Sequence, residues 1–211
     1  MIVAVDGPAA AGKGTLARAL ARHYGFAYLD TGSLYRGVAH AVLSAGADPA
    51  DEAAALRAAE SLDPAKIDPE AIRTHEVSEA ASVVAAIPSV RAAILAFQRR
   101  FATHPPEGAT GAVLDGRDIG TVVCPDADVK LYVTASPEVR AHRRWLELKG
   151  SGSGVTEAQV LEDVRARDAR DSGRATSPLR PAEDAHLLDT SDLSIEAAFD
   201  AAVALIETSR G

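Results

Sequence analysis

Near the N-terminus, two glycines and a lysine are spaced in a way that suits the binding of phosphate. Gly7 and Gly12 are separated by four residues, Lys13 follows immediately, and Thr15 comes two positions later. Because glycine has no Cβ, backbone N–H groups can close around phosphate oxygens, and the following helix points its positive end at the same anion. The lysine can reach the outer phosphates of a nucleoside triphosphate. The spacing therefore predicts a P-loop.

One position of this loop departs from the general P-loop pattern. Most P-loops place Ser or Thr directly after the lysine to bind magnesium, whereas this chain has Gly14 there and Thr15 one position later. The Gly-Lys-Gly-Thr variant resembles the loop of nucleoside monophosphate kinases. It removes a direct hydroxyl–metal bond at position 14 and leaves phosphate binding intact. The preceding Asp6 lies outside the phosphate cradle, and the sequence leaves its role open.

A second anion site is indicated where the next predicted strand ends. Asp30, Thr31 and Gly32 form a helix start, and Tyr35 and Arg36 follow on the next turn. A helix N-terminus together with an arginine favours the binding of an anion, separately from the P-loop. The alternative is an ordinary N-cap beside a surface arginine.

A later apolar strand is followed directly by the charged run Asp115-Gly116-Arg117-Asp118. Burying charges at this point is unfavourable unless they meet a ligand or a partner. Asp115 stands where a carboxylate could orient magnesium through water. Arg117 could bind a phosphate, and Asp118 could contact the polar edge of a base. The alternative is a loop of mutual ion pairs.

Two predicted helices in the C-terminal half carry arginines at helical spacing and flank a glycine- and serine-rich break at residues 150–154. Such spacing puts the side chains on one helix face. Because phosphoryl transfer is catalysed mainly by positioning and cationic stabilisation, the pattern favours a lid that closes over the phosphates and excludes water. The alternative is a salt-bridged solvent face. The residues are Arg140, Arg143 and Arg144 before the break and Arg167, Asp171 and Arg174 after it.

The elements that must position these residues alternate between strand and helix, which predicts a parallel sheet with helices on both faces. Polar residues at the carboxyl ends of the strands then meet in one crevice. Residues 70–86 are expected to form one continuous helix, and Thr156 with Gln159 predicts a capping box at the start of another.

Composition limits the classes of function. A chain of 211 residues, 47% hydrophobic, is long enough for one domain with its own core. The net charge of -8 argues against a nucleic-acid or membrane partner, which usually requires a basic face. The one cysteine, Cys124, excludes an internal disulfide and a cysteine-rich zinc site. With neither a signal peptide nor an apolar run that could span a bilayer, we expect a cytoplasmic protein.

Together, the motifs resemble those of the bacterial cytidylate kinase family over nearly the whole chain. They are, in order, residues 7–15, Asp30-Thr31-Gly32 with Tyr35-Arg36, residues 115–121 and residues 167–174. The resemblance implies ATP-dependent phosphorylation of CMP and dCMP to CDP and dCDP in pyrimidine nucleotide metabolism, with Mg²⁺ carried by ATP. It implies a monomer with a three-layer P-loop NTPase fold: a five-stranded parallel sheet, a small helical NMP-binding insert (37–90) and a lid (143–173).

The resemblance also implies a role for each motif residue. The ATP phosphates would be held by Gly7, Pro8, Ala9, Ala10, Ala11, Gly12, Lys13, Gly14 and Thr15. CMP would be bound by Thr31, Arg36, Ser82, Arg91, Arg117, Asp118, Arg167 and Asp171. The catalytic cations would be Lys13, Arg117, Arg167 and Arg174. No direct protein ligand to the metal is implied, although Thr15 and Asp115 could act through water.

Within the CMP set, the resemblance assigns cytosine to Ser82, Arg91 and Asp118, and the ribose hydroxyls to Asp171. Cytosine N4 donates a hydrogen bond while N3 and O2 accept, which matches a carboxylate or hydroxyl and an arginine. Uracil presents the opposite pattern at N3 and position 4, so we expect UMP to be disfavoured. Many family members carry extra strands where this chain has only residues 64–71, so the insert is expected to be reduced and mostly helical.

Two other functions remain open at this point. One is a kinase for another small acceptor, such as a different nucleotide or shikimate. The other is a P-loop module that binds nucleotide without turnover. A simple binding module has no need of the second anion site or the arginine-bearing lid.

Overall fold

A five-stranded parallel sheet, in the order β2-β3-β1-β4-β5, forms the centre of the protein. The computed structural model describes residues 1–150 and 154–210. The strands are β1 Ile2–Asp6, β2 Ala27–Asp30, β3 Ala112–Gly116, β4 Val129–Thr134 and β5 His186–Asp189. The α-helices are α1 Lys13–Tyr24, α2 Thr31–Ser44, α3 Glu52–Glu60, α4 His75–Val84, α5 Pro88–Thr103, α6 Pro137–Gly150, α7 Glu157–Ser172 and α8 Ile195–Arg210. Short 3₁₀ turns lie at Pro64–Lys66, Ala71–Arg73 and Pro106–Gly108, and a π-helical turn lies at Ile119–Val123.

The strand register brings the predicted motifs to one edge of the sheet. Asp6 at the end of β1 pairs with Gly116 of β3, and Asp30 at the end of β2 pairs with Asp115. Because all pairings are parallel, the loops that follow β1, β2 and β3 leave the sheet on the same side. The P-loop, the second anion site and the charged run therefore meet in one crevice, as predicted.

Helices cover both faces of the sheet, which confirms the predicted three layers. On one face, Val3 packs with Leu20 of α1 and Ile206 of α8. On the other face, Ala4 packs with Ala102 of α5. Successive residues of a strand point to opposite faces, and both of these β1 side chains are fully buried, which is typical of a central parallel strand.

Residues 37–90, all of which the structure describes, contain helices and no strand, as the shortened sequence predicted. Their apolar side chains form a separate cluster that includes Val38, Ala55 and Val77. The prediction of one helix over residues 70–86 is wrong. The backbone of Thr74 is extended (φ -65°, ψ 156°) and its hydroxyl accepts the N–H of Val77 at 3.2 Å, so a new helix begins there.

Helices α6 and α7 pack against each other through Ala141, Val160 and Val164. The predicted capping box is confirmed: the side chain of Thr156 accepts the N–H of Gln159, and the side chain of Gln159 accepts the N–H of Thr156. The predicted flexible break at 150–154 falls mainly on residues 151–153, which lie outside the described residues.

Within the described ranges, no single helix is long and apolar enough to cross a membrane. Helices α4 and α5 reach the required length and hydropathy only as a pair, with a bend of 98° between them. Both supply buried side chains, such as Val84 and Ile94, to the cluster formed by residues 37–90 and their neighbours.

Candidate active site

The P-loop adopts backbone conformations that require glycine. Gly7 has φ 144° and Gly12 has φ 84°, both in the region that side chains rarely adopt. A Cβ on Gly7 would also lie 1.9 Å from the carbonyl oxygen of Val133. The loop therefore lies tightly against the end of β4 and leads into α1, whose first residue is Lys13.

Lys13 is folded over the loop. Its ammonium donates a hydrogen bond to the carbonyl of Pro8 at 2.8 Å, and the residue is 5% exposed. Burial, with a further contribution from Arg117, lowers the pKa of this ammonium to about 7, against the opposing effects of Asp115 and Asp6. A desolvated cation gains stabilisation from an anion, so the site is suited to the outer phosphates of a nucleotide.

Gly14 has a spatial reason to replace the usual hydroxyl residue. A Cβ at this position would lie 3.2 Å from Oδ2 of Asp115, whose carboxylate also accepts from the hydroxyl of Tyr28 at 3.5 Å. Burial raises the pKa of Asp115, Lys13 opposes this, and Asp30 adds to the rise. The carboxylate of Asp115 from β3 thus lies beside Gly14, and Thr15, one position further on, is an exposed residue.

Beside the P-loop, one cavity collects every residue that was predicted to bind CMP. These are Thr31, Arg36, Ser82, Arg91, Arg117, Asp118, Arg167 and Asp171, and Arg174 lines the same cavity. They come from α2, α4, α5, the loop after β3, and α7 with the residues after it. Ala81 of α4 and Ala85 at its C-terminal end also line the cavity, and no sequence motif had indicated either of them.

At one end of the cavity, Arg91 and Asp118 form a buried ion pair. Arg91 also donates to the carbonyl of Ala85 at 3.0 Å and lies 5.4 Å from the centre of the Tyr35 ring. The run 115–118 thus forms ion pairs, but with other elements: Asp118 pairs with Arg91 of α5, and Arg117 pairs with Asp171 of α7. Ser82, the third residue predicted to contact the base, is 3% exposed.

Asp171 connects the two ends of the cavity. It accepts hydrogen bonds from Nε of Arg117 at 3.1 Å, from Arg174, and from the hydroxyl of Ser82 at 3.4 Å. Burial alone would raise the pKa of Asp171, but Arg117 and Arg174 lower it below its usual range. The group is therefore held as an anion between two guanidinium groups.

Three arginines of the cavity have guanidinium nitrogens that no protein atom satisfies. Among the residues that the structure describes, the buried side-chain nitrogens without a partner are Nε of Arg36, Arg167 and Arg174. Burial, together with the neighbouring Arg117, lowers the pKa of Arg167 to about 10. Buried donors normally have partners, so these unpaired ones indicate a place for an anion.

At the second anion site, the sequence allowed either an anion-binding arginine or an ordinary helix N-cap, and the structure contains both features. Asp30 caps α2 by accepting the N–H of Ser33 at 3.1 Å, and it also pairs with Arg36 at 2.5 Å. The hydroxyl of Thr31 donates to the backbone carbonyl of Asp115 at 2.7 Å, which ties α2 to β3. The cap therefore exists, and Arg36 still lines the cavity.

The arginines of α6 do not line the cavity, whereas Arg167 of α7 and Arg174 after it do. The guanidinium of Arg140 pairs with Asp168 at 2.7 Å, that of Arg143 donates to the carbonyl of Thr190 at 2.7 Å, and that of Arg144 pairs with Glu147 at 3.0 Å. Nearby oxygen acceptors therefore bind all three α6 arginines, and the lid stays a prediction.

Two contacts of α7 with α4 had no signal in the sequence. Arg167 donates to the hydroxyl of Ser78 at 2.9 Å, and Arg170 pairs with Glu79 at 2.5 Å. The partners are about ninety positions apart in the chain. Only the packing of α7 over residues 37–90 brings them together.

Comparisons with known proteins agree with this arrangement. A family model described as "Cytidylate kinase" matches residues 3–208. A protein of Rhodospirillum rubrum named "Cytidylate kinase" is 62% identical over 206 residues, 98% of this chain and 97% of that protein. One of Bradyrhizobium sp. with the same name is 58% identical over 210 residues, 100% of this chain and 97% of that protein.

Solved structures agree at the level of the fold. An uncharacterized protein from Eubacterium ventriosum matches with a TM-score of 0.56 and 15% identity, over 99% of this chain and 98% of that one. TT1252 from Thermus thermophilus matches with a TM-score of 0.50 and 20% identity, over 100% of this chain and 98% of that one.

Proposed function

The chain belongs to the cytidylate kinase family and transfers a phosphoryl group from ATP to CMP, and on this premise we propose that the cavity beside the P-loop is the CMP site. The observation that carries this proposal is the pair of unpaired Nε atoms on Arg36 and Arg167, two arginines that line the cavity. Guanidinium groups bind phosphate oxygens through charge-assisted hydrogen bonds. The CMP phosphate would satisfy donors that the protein itself leaves free.

The base and the sugar would lie at the end of the cavity formed by α4 and α5. Asp118 is a suitable acceptor for the N4 amino group, while Arg91 donates toward N3 and O2. Ser82 supplies a hydroxyl beside them. Asp171 would accept from the ribose hydroxyls, which is supported by its place between Ser82 and Arg117.

The P-loop, from Gly7 to Thr15, would hold the ATP phosphates, with Lys13 at the transferred group. A CMP phosphate oxygen, ionised at neutral pH, would attack the γ-phosphorus of ATP. The bond from this phosphorus to the bridging oxygen then breaks, and ADP leaves. Lys13, Arg117, Arg167 and Arg174 would stabilise the charge on the transferred group, because this reaction depends mainly on positioning and electrostatics.

The residues beside the P-loop fit Mg²⁺ carried with ATP. The carboxylate of Asp115 and the hydroxyl of Thr15 are hard oxygen donors, which Mg²⁺ prefers, often through retained waters. When bound, the ion would neutralise charge on the β- and γ-phosphates. No group of three or more His, Cys, Asp or Glu side chains that could hold a metal occurs among the described residues. We propose that the ion arrives bound to the nucleotide.

Residues 37–90 would act as the NMP-binding insert and residues 143–173 as the lid. The contacts of Arg167 with Ser78 and of Arg170 with Glu79 support this division, since they join the two regions beside the cavity. dCMP would be accepted as well as CMP. We also propose a monomer that works in the cytoplasm without a nucleic-acid or membrane partner, which the net charge of -8 supports.

The proposal is tested by ADP release from Mg-ATP with CMP, dCMP, UMP, AMP, GMP and shikimate as acceptors. We expect strong release with CMP and dCMP, weak release with UMP, and none with the others. ADP release with another acceptor would support the phosphate-binding residues but contradict the assignment of Ser82, Arg91 and Asp118 to cytosine. ATP binding without release in the presence of any acceptor would remove the proposed reaction.

A further inference from the structure

Asp6 is a buried carboxylate that the proposed reaction does not use. It is the last residue of β1 and is 5% exposed. Its Oδ1 accepts the N–H of Ile119 at 2.8 Å, and its Oδ2 accepts the N–H of Gly120 at 2.7 Å. Both oxygens therefore bind the backbone of one loop, more than a hundred residues further along the chain.

The contact of Asp6 with Ile119 and Gly120 fixes the chain directly after Arg117 and Asp118, the two residues of the loop after β3 that line the cavity. On the other side, β3 is held in the sheet up to Gly116, which pairs with Asp6 itself. Arg117 and Asp118 stand between these two anchors and line the cavity. A loop fixed at both ends loses less conformational entropy when it binds a ligand.

The loop is also closely packed at this point. A Cβ on Gly120 would lie 3.1 Å from Cδ of Lys130 and 3.4 Å from Oδ2 of Asp6. The glycine lets its N–H approach the carboxylate. Asp6, Gly120 and the stem of Lys130 thus fix the backbone position directly after Asp118.

A carboxylate in this place destabilises the fold. Burial raises the pKa of Asp6 to about 7, the two backbone N–H groups and Lys13 oppose the rise, and Asp118 adds to it. Side chains whose protonation is strongly perturbed by burial are concentrated at functional sites. A neutral residue would avoid the desolvation, but it would not offer two equivalent acceptor oxygens.

We propose that Asp6 is a positioning residue for acceptor recognition, in which its two carboxylate oxygens hold Ile119 and Gly120 so that Arg117 and Asp118 present their side chains to the nucleoside monophosphate. This inference rests on the proposed function of the cavity. Although Asp6 directly precedes the P-loop, its role would thus be in the recognition of CMP rather than of ATP.

The test is Asp6→Asn, which keeps the shape of the side chain and replaces one acceptor oxygen by a donor that faces an N–H. We expect the KM for CMP to rise about tenfold, since one of the two charge-assisted hydrogen bonds that hold the loop is lost. The preference for CMP over UMP should fall with it, while the KM for ATP stays within about twofold. The matched control is Asp128→Asn, because Asp128 accepts the N–H of Ile2 at 2.6 Å at the opposite end of the same strand. This control should leave both KM values unchanged.

A second variant reaches the same loop without changing Asp6. Gly120→Ala would push against Lys130 and Asp6, and it should again raise the KM for CMP selectively. The proposal is overturned if both variants fold and the KM values for ATP and CMP rise equally. It is also overturned if only kcat falls and the ratio of CMP to UMP is kept. A wild-type enzyme that does not respond to CMP would instead remove the proposed function, so the two failures are distinguishable.

Discussion

Arg140 of α6 holds both carboxylate oxygens of Asp168 of α7, at 3.0 and 2.7 Å. The same guanidinium donates to the carbonyl of Ala135 at 2.8 Å and to that of Ala9 in the P-loop at 3.4 Å. An arginine whose spacing predicted a lid cation is thus a structural link between the P-loop and the helix that carries Arg167 and Asp171. Its side chain is 4% exposed, so the interaction is little weakened by solvent.

We expect Arg140→Lys to destabilise the protein by about 1–3 kcal/mol, because an ammonium keeps the charge but cannot form the two-pronged contact with Asp168 and also reach the two backbone carbonyls. The measurement is urea-induced unfolding. The control is Arg144→Lys, whose partner Glu147 is 64% exposed, and which should change the stability by less than about 0.5 kcal/mol. Equal losses in the two variants would contradict this interpretation.

Asp118→Ala should remove most of the preference for cytosine. We expect kcat/KM for CMP to fall by about a hundredfold or more, while that for UMP falls much less, because a site built to bind a polar group discriminates through it. The unfolding free energy must be measured on the same samples, since the variant leaves the buried Arg91 without its ion-pair partner. An unchanged ratio of CMP to UMP would refute the assignment of Asp118 to the base.

Arg174→Ala should act on turnover more than on binding. The side chain of Arg174 is 6% exposed, it pairs with Asp171, and its Nε has no partner. We expect kcat to fall by about a hundred- to a thousandfold with the KM for CMP within about threefold, because cationic stabilisation of the transferred group is realised mainly in the transition state. Single-turnover kinetics separate the two parameters. A rise in KM at constant kcat would place this arginine with the binding groups instead.

The residues of the cavity that follow strands were predictable because parallel strands bring their carboxyl ends together, whereas Ser82 and Arg91 were expected there only from the family resemblance. Thr31 and Asp118 each stand directly after a strand or one turn beyond it, and they meet for that reason. The pairing of the arginines was not predictable in the same way. Helical spacing put Arg140 and Arg167 into one expected lid, but their acceptors, Asp168 and Ser78, are set by the packing of α7 on α6 and α4.

Asp6 and Gly14 show a different limit of sequence analysis. The neighbour that explains each residue lies more than a hundred positions away in the chain. For Asp6 it is the backbone of Ile119, and for Gly14 it is the carboxylate of Asp115. No local pattern encodes such a contact. The departure from the usual P-loop hydroxyl at position 14 was visible in the sequence, but the closeness of the Asp115 carboxylate to that position required the fold.

The stability of the protein should depend on pH through Asp6. The pKa of Asp6 is raised from 3.8 to about 7 in the folded state, chiefly by burial. A raised pKa means that the folded state binds the proton of Asp6 more tightly than the unfolded chain does. The stabilisation of the fold by this proton is complete below about pH 4 and is lost as the pH rises through about 7. The Asp6→Asn variant lacks this contribution to the pH dependence, because asparagine does not titrate. We therefore expect the unfolding free energy of the wild type, relative to the variant, to fall by about 1 kcal/mol per pH unit between about pH 4.5 and 6.5. Urea unfolding of both proteins across this range measures the difference, in which the titratable groups that do not interact with Asp6 cancel. A difference that stays constant with pH would mean that the carboxyl group has the same proton affinity in the folded and unfolded chains.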